Sequence, residues 1–276
     1  MKTRIISAAA AIIMLVVIVY LGATAIGVTV SVLAFFAVRE FNSALRKGGY
    51  RPVNIISVIS CVPLLYIGLS GILPAELLII DGNAMLASAL FMFILLLALF
   101  CFLLFSGGKY GIKDIAVTGF GIAYILFLFS FVTFTGQMEL GYLYIWLIFI
   151  GASATDTFAY FTGITIGKTK IVPKISPKKT LEGCIGGVVG CIVAMVLFGF
   201  FFSDVIGVPV VHFAVLGLLC GIISQLGDWS ASVIKRAVGI KDYGNIMPGH
   251  GGVLDRLDSI LFTAPAVFLY INIFFN

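Results

Sequence analysis

Long apolar runs separated by short polar breaks dominate the chain. The first, residues 5–37, exceeds a single membrane span of about 20 residues and is punctuated by Gly22 and Gly27, which predicts two helices joined by a tight turn near Gly22. Further spans are expected at residues 52–72, 85–105, 115–134, 142–163, 181–202, 213–238 and 260–275. The pattern therefore predicts an all-α, polytopic membrane protein with about nine transmembrane helices.

Composition agrees, since 61% of the 276 residues are hydrophobic, only 11% are charged, and mean hydropathy is +1.19. A soluble chain would carry roughly 25% charged residues. Spans and short connections leave almost no room for a separate soluble domain, so residues 1–276 read as one transmembrane domain whose polar region lies mainly in 151–183 and 225–258. Lys2 and Arg4 before an apolar run resemble a secretory signal, but the run continues well past the roughly 7–15 residues of a signal core and is expected to be retained. Cys61, Cys101, Cys184, Cys191 and Cys220 are scattered through apolar segments without the close pairing that metal or redox sites need.

Charge tests the span count. With a cytoplasmic N-terminus and nine spans, all 17 basic residues fall in inside connections, which leaves Glu76, Asp81, Glu139 and Asp204 as the charged groups outside. The C-terminus then lies outside.

The densest polar stretch runs from Gln225 to Asp258. At helical spacing Gln225, Asp228, Ser232 and Lys235 share one face, and Asp255 and Asp258 share another if that segment is helical. Carboxylates converging on a dry site call for a proton or a cation, and hard oxygen ligands suit Mg²⁺. A lattice of ion pairs tying two helices together explains the same spacing. Between the two faces, Pro248-Gly249-His250-Gly251-Gly252, flanked by Lys241 and Arg256, has the makings of a phosphate cradle, whereas a structural turn accounts for the glycines alone. His250 could bind phosphate, ligate a metal or cap the turn.

A second basic loop, residues 168–179, ends in Ser176-Pro177-Lys178-Lys179-Thr180. Ser176 is expected to cap a helix and Pro177 to open it, which would set Lys178 and Lys179 at the positive end of a helix dipole and invite an anion. An ordinary positive-inside loop reads the same way. Asp156 stands in an apolar span on a face with Ser153, Tyr160, Gly163 and Gly167, a costly position for a charge without a role. The glycines at 183, 186, 187 and 190 form a small-residue face suited to close helix packing.

These residues resemble a known family. Ser232-x-x-Lys235-Arg236, Lys241-Asp242 and Pro248-Gly249-His250-Gly251-Gly252-x-x-Asp255-Arg256-x-Asp258 are similar to the phosphatidate cytidylyltransferase signature. So are Ser176-Pro177-Lys178-Lys179-Thr180-x-Glu182-Gly183 and Gln225-x-Gly227-Asp228 upstream, while Trp229 and Tyr243 stand where the family commonly has Leu and Phe. The resemblance implies transfer of CMP from CTP to phosphatidic acid at the cytoplasmic face of the cell membrane, giving CDP-diacylglycerol and pyrophosphate. It implies Mg²⁺ held by Asp228, Asp255 and Asp258 as the catalytic carboxylates, with a second cation left open. Asp156, Lys178, Lys179, Ser232, Lys235, Arg236, Lys241, His250, Gly251, Gly252 and Arg256 would bind the substrates. The expected partners are CTP, phosphatidic acid and the lipid bilayer, with no nucleic acid and with a homo-oligomer left open. A CTP-dependent lipid kinase and a cation or phospholipid transporter are the competing readings. A CDP-alcohol phosphotransferase fits less well, because its Asp-Gly-x-x-Ala-Arg element is missing.

Overall fold

The computed structural model of the protein describes residues 2–73, 84–246 and 251–275. They form helices α1 (Lys2–Tyr20), α2 (Ala23–Lys47), α3 (Asn54–Ile59), α4 (Cys61–Leu69), α5 (Ala84–Phe105), α6 (Ile112–Ile122), α7 (Leu128–Gly136), α8 (Gly141–Thr165), α9 (Leu181–Ile206), α10 (Val210–Ala237) and α11 (Leu254–Phe274). A π-helical segment, Ala123–Phe127, joins α6 to α7. No strand is present among the described residues.

Six helices are long and apolar enough to cross a membrane among the described residues: Ala23–Lys47, Ile112–Gly136, Gly141–Thr165, Leu181–Ile206, Val210–Ala237 and Leu254–Phe274. Shorter apolar helices cover Ala10–Tyr20, Asn54–Leu69 and Leu90–Phe105. The protein is thus an all-α integral membrane protein. The long first apolar run does divide at Gly22, whose φ of 89° is one a side chain would resist. Where one span was expected over 52–72, the helix breaks at Ser60 into α3 and α4. The last helix starts at Leu254 rather than at 260, so Asp255 and Asp258 are helical. Glu76 and Asp81 lie outside the described residues.

Two compact units divide the chain: residues 1–133 with 238–254, and residues 134–237 with 255–276. In the first, α2 supplies a buried stripe of Val30, Ala34, Ala37, Phe41 and Ala44. Near its start Gly27 meets Gly68 of α4 backbone to backbone; a Cβ on Gly68 would fall 2.7 Å from the Gly27 carbonyl carbon. The Val53 amide donates to Thr118 Oγ1 at 3.0 Å, which pins the entry to α3 against α6.

In the second unit, α9 packs along both α8 and α10. The glycine face accounts for that contact. A Cβ on Gly187 would come within 2.9 Å of the Thr155 carbonyl oxygen and 3.0 Å of Ala159 Cβ, both on α8. On the other side, a Cβ on Gly217 of α10 would fall 2.7 Å from Ile192 Cα on α9. Lipid supplies no hydrophobic drive between helices, so this backbone proximity, with its van der Waals contact, is what holds them together. Gly227 extends the principle to α11, where a Cβ would fall 2.7 Å from the Asp258 carbonyl oxygen. Helices α8, α10 and α11 thereby bring their polar residues to one place.

Candidate active site

The centre of the second unit is built by four segments. Helix α8 contributes Asp156, α10 contributes Asp228, Ser232 and Lys235, and α11 contributes Asp255, Arg256 and Asp258. The connection between α8 and α9 contributes Lys178 and Lys179.

That connection folds back on itself. Lys170 and Thr180 form an antiparallel bridge, the Leu181 amide donates to the Thr169 carbonyl at 2.9 Å, and the Glu182 carboxylate accepts the amides of Lys168 and Thr169 at 3.0 and 3.1 Å. These bonds decide where α9 begins. Its cap is Thr180, whose hydroxyl accepts the Gly183 amide at 3.2 Å, and not Ser176. Ser176-Pro177 has the local form of a helix start, but the pairing of Lys170 with Thr180 keeps residues 176–179 extended or turned. Lys178 and Lys179 therefore precede the helix instead of occupying its first turn. Lys178 is exposed, whereas Lys179 is half-buried.

Two ion pairs organise the cluster. Lys179 pairs with Asp228, and its ammonium also sits 5.5 Å from the Trp229 ring centroid, a cation–π contact. Lys235 Nζ lies 2.7 Å from Asp255 Oδ1, and both side chains are nearly enclosed, at 11% and 4% exposure. Asp258 is buried, and its Oδ1 accepts the Ser259 amide at 2.8 Å. The Ser259 hydroxyl donates to Asp156 Oδ2 at 3.4 Å, which links α11 to α8. Asp156 feels the charges of Asp228, Lys179 and Arg256, and Asp258 those of Asp228, Lys235 and Asp156. Three carboxylates thus lie within electrostatic reach of one another, interleaved with lysines.

The structure brings together Asp156, Lys179, Asp228, Lys235, Asp255 and Asp258, with Arg256 close enough to act on Asp156. Ser232 is half-buried, one helical turn beyond Asp228. Arg236 is exposed and its Nε donates to the Ile175 carbonyl at 3.3 Å, so it holds the α8–α9 connection. Lys241, Gly251 and Gly252 belong to the first unit. His250 lies outside the described residues.

Two functional candidates escaped the sequence reading. Ser259 adjoins the quoted signature but is buried between two carboxylates, a contact 103 residues apart that no local pattern announces. Glu40 left a legible signal, a carboxylate on the apolar stripe of α2 beside Ala37, Phe41 and Ala44. It is buried and accepts the amides of Val253 and Leu254, each at 3.0 Å.

Carboxylate oxygens are the donors a hard divalent cation takes. Among the described residues, however, no three carboxylate, imidazole or thiol side chains stand together as a ready-made cage, since lysines already engage Asp228 and Asp255. The oxygens are of the type such a cation takes, and one would reach Asp228 or Asp255 only by displacing the lysine paired with each.

Fold and site together define an integral membrane protein whose interleaved lysines and carboxylates suit the handling of phosphate groups. The model of the cytidylyltransferase family matches residues 2–274, and the chain belongs to that family. Among its relatives are phosphatidate cytidylyltransferases of Staphylococcus haemolyticus, 31% identical over 265 residues and 96% of each chain, and Bacillus subtilis, 33% identical over 195 residues, 70% of this chain and 71% of the other. The Thermotoga maritima protein of that name is 35% identical over 164 residues, 58% of this chain and 60% of its own length.

Proposed function

We propose that this enzyme transfers CMP from CTP to phosphatidic acid, releasing pyrophosphate and leaving CDP-diacylglycerol in the membrane for phospholipid synthesis. The observation that carries the reading is similarity over 96% of both chains to a protein named for this activity. The lysine and carboxylate cluster of the second unit supplies the chemistry such a transfer requires.

A phosphate oxygen of phosphatidic acid attacks the α-phosphorus of CTP. The new phosphorus–oxygen bond forms as the bond to the bridging oxygen breaks, and pyrophosphate leaves with that oxygen. The nucleophile is already ionised near neutral pH, so no serine or histidine needs to activate it. Orientation and charge neutralisation carry the rate. Asp228, Asp255 and Asp258 would hold Mg²⁺, which when bound offsets phosphate charge; a second cation could share them. Lys179 and Lys235 are bound to carboxylates before substrate arrives, and incoming phosphates compete with Asp228 and Asp255 for the same ammonium groups. Lys178, Arg236 and Arg256 extend the positive charge along the substrate path, Asp156 and Ser232 orient the bound groups, and Lys241, His250, Gly251 and Gly252 bind substrate phosphate.

The same reading takes residues 1–276 as one catalytic domain with nine spans. The shorter apolar helices cross the bilayer with the six long ones, the N-terminus is cytoplasmic and the C-terminus lies outside. The distribution of basic residues supports this orientation. It also supports a site open to the cytoplasm in a bacterial cell membrane, with homo-oligomers allowed. CTP labelled at the α-phosphate tests the reaction: label should enter the chloroform-soluble lipid, and label at the γ-phosphate should stay in water. Transfer of the γ-label to lipid would show a kinase instead.

A further inference from the structure

A buried acid needs a partner. Glu40, at 5% exposure, finds one in the backbone of a segment more than two hundred residues away in sequence. Its Oε1 accepts the Val253 amide and its Oε2 the Leu254 amide, both at 3.0 Å. Leu254 is the first residue of α11, so these are amides at the start of a helix, which lack partners within it and form the positive end of its dipole. Glu40 does from another helix what a capping side chain ordinarily does from the preceding residue.

The surrounding turn is shaped to receive it. A Cβ on Gly252 or on Gly244 would collide with the Glu40 carboxylate, and Gly251 adopts a φ of +86° that leads the chain into this approach. Phe41, the next residue of α2, packs against Tyr243, so the neighbouring stretch is held as well. The amides at Val253 and Leu254, where a bound phosphate would otherwise be sought, already face an anion that the protein supplies.

We propose that Glu40 is a positioning residue: its carboxylate is the built-in anion of the glycine turn and fixes the start of the helix on which Asp255 is the second residue. The functional half of this inference rests on the cytidylyl-transfer reading. The structural half does not.

The test uses full-length protein in lipid–detergent micelles, with folded enzyme quantified by monodispersity. Glu40→Gln replaces one acceptor by a donor facing a backbone amide, while Glu40→Asp keeps both acceptors on a shorter stem. Misplacement of about an ångström costs up to roughly a hundredfold in rate. Glu40→Gln should therefore lower kcat per folded enzyme about 10- to 100-fold with KM for CTP within about threefold, and Glu40→Asp should recover part of the loss. A kcat per folded enzyme equal to wild type in Glu40→Gln overturns the positioning role. Hydrogen exchange at Val253 and Leu254 supplies an arm independent of activity. Faster exchange there in Glu40→Gln supports the anchor, and unchanged exchange overturns it even if wild-type protein makes no pyrophosphate. Should Glu40→Gln fail to fold, Gly252→Ala displaces the same carboxylate from the other side and must show the same kcat and exchange signature.

Discussion

Replacing Lys235 by Met should destabilise the protein through the charge it leaves behind. Lys235 and Asp255 face each other at 2.7 Å with 11% and 4% of their side chains exposed, so water is nearly excluded from the pair. Met matches the length and packing of the lysine stem and removes the ammonium alone. Breaking a buried pair from one side costs roughly 3–5 kcal/mol, because the remaining charge is uncompensated. At about 2–4 °C per kcal/mol for a chain of this size class, the melting midpoint should fall by roughly 6–20 °C. The double variant Lys235→Met with Asp255→Asn removes both charges and should lose far less than the sum of the two single changes. Thermal unfolding of the four proteins, followed by tryptophan fluorescence in one detergent, completes the cycle. A Lys235→Met midpoint within about 2 °C of wild type, or strict additivity in the double variant, refutes the enclosed ion pair.

Other outcomes follow from the same geometry. Asp228→Asn should lower kcat by at least about a hundredfold while leaving a folded, monodisperse protein, as seen in pyrophosphate release per folded enzyme. Thr180→Ala removes the hydroxyl that accepts the Gly183 amide and should cost about 1 kcal/mol in a denaturant titration. Gly187→Leu places a side chain where Thr155 and Ala159 already stand on α8, and should cost roughly 1–3 kcal/mol or more by the same titration.

The helices were legible because bilayer thickness imposes a length that shows as an apolar run. Starts and ends at α9 and α10 lie within a few residues of expectation, and Gly22 marked its own turn. What escaped depends on partners distant in sequence. Ser176-Pro177 satisfies every local rule for a helix start, yet the bridge between Lys170 and Thr180 overrides it. The break at Ser60, by contrast, does have a local signal that the single-span reading passes over, Pro63, which a helix accommodates in its first turn but not in its interior. The polar face of α10 followed from helical spacing alone. That Lys179 would reach Asp228 and Lys235 would reach Asp255 required three-dimensional proximity across 49 and 20 residues. The same limit hid Glu40, whose position on an apolar stripe is readable but whose amide partners are not.

The most direct measurement is pyrophosphate release by purified protein in lipid micelles containing phosphatidic acid, with CTP and Mg²⁺ added, and CDP-diacylglycerol followed by mass in the same samples. The account predicts equal amounts of the two products, dependent on both substrates and abolished by a chelator of divalent cations. CTP consumption without CDP-diacylglycerol, or no consumption with all components present, would contradict it.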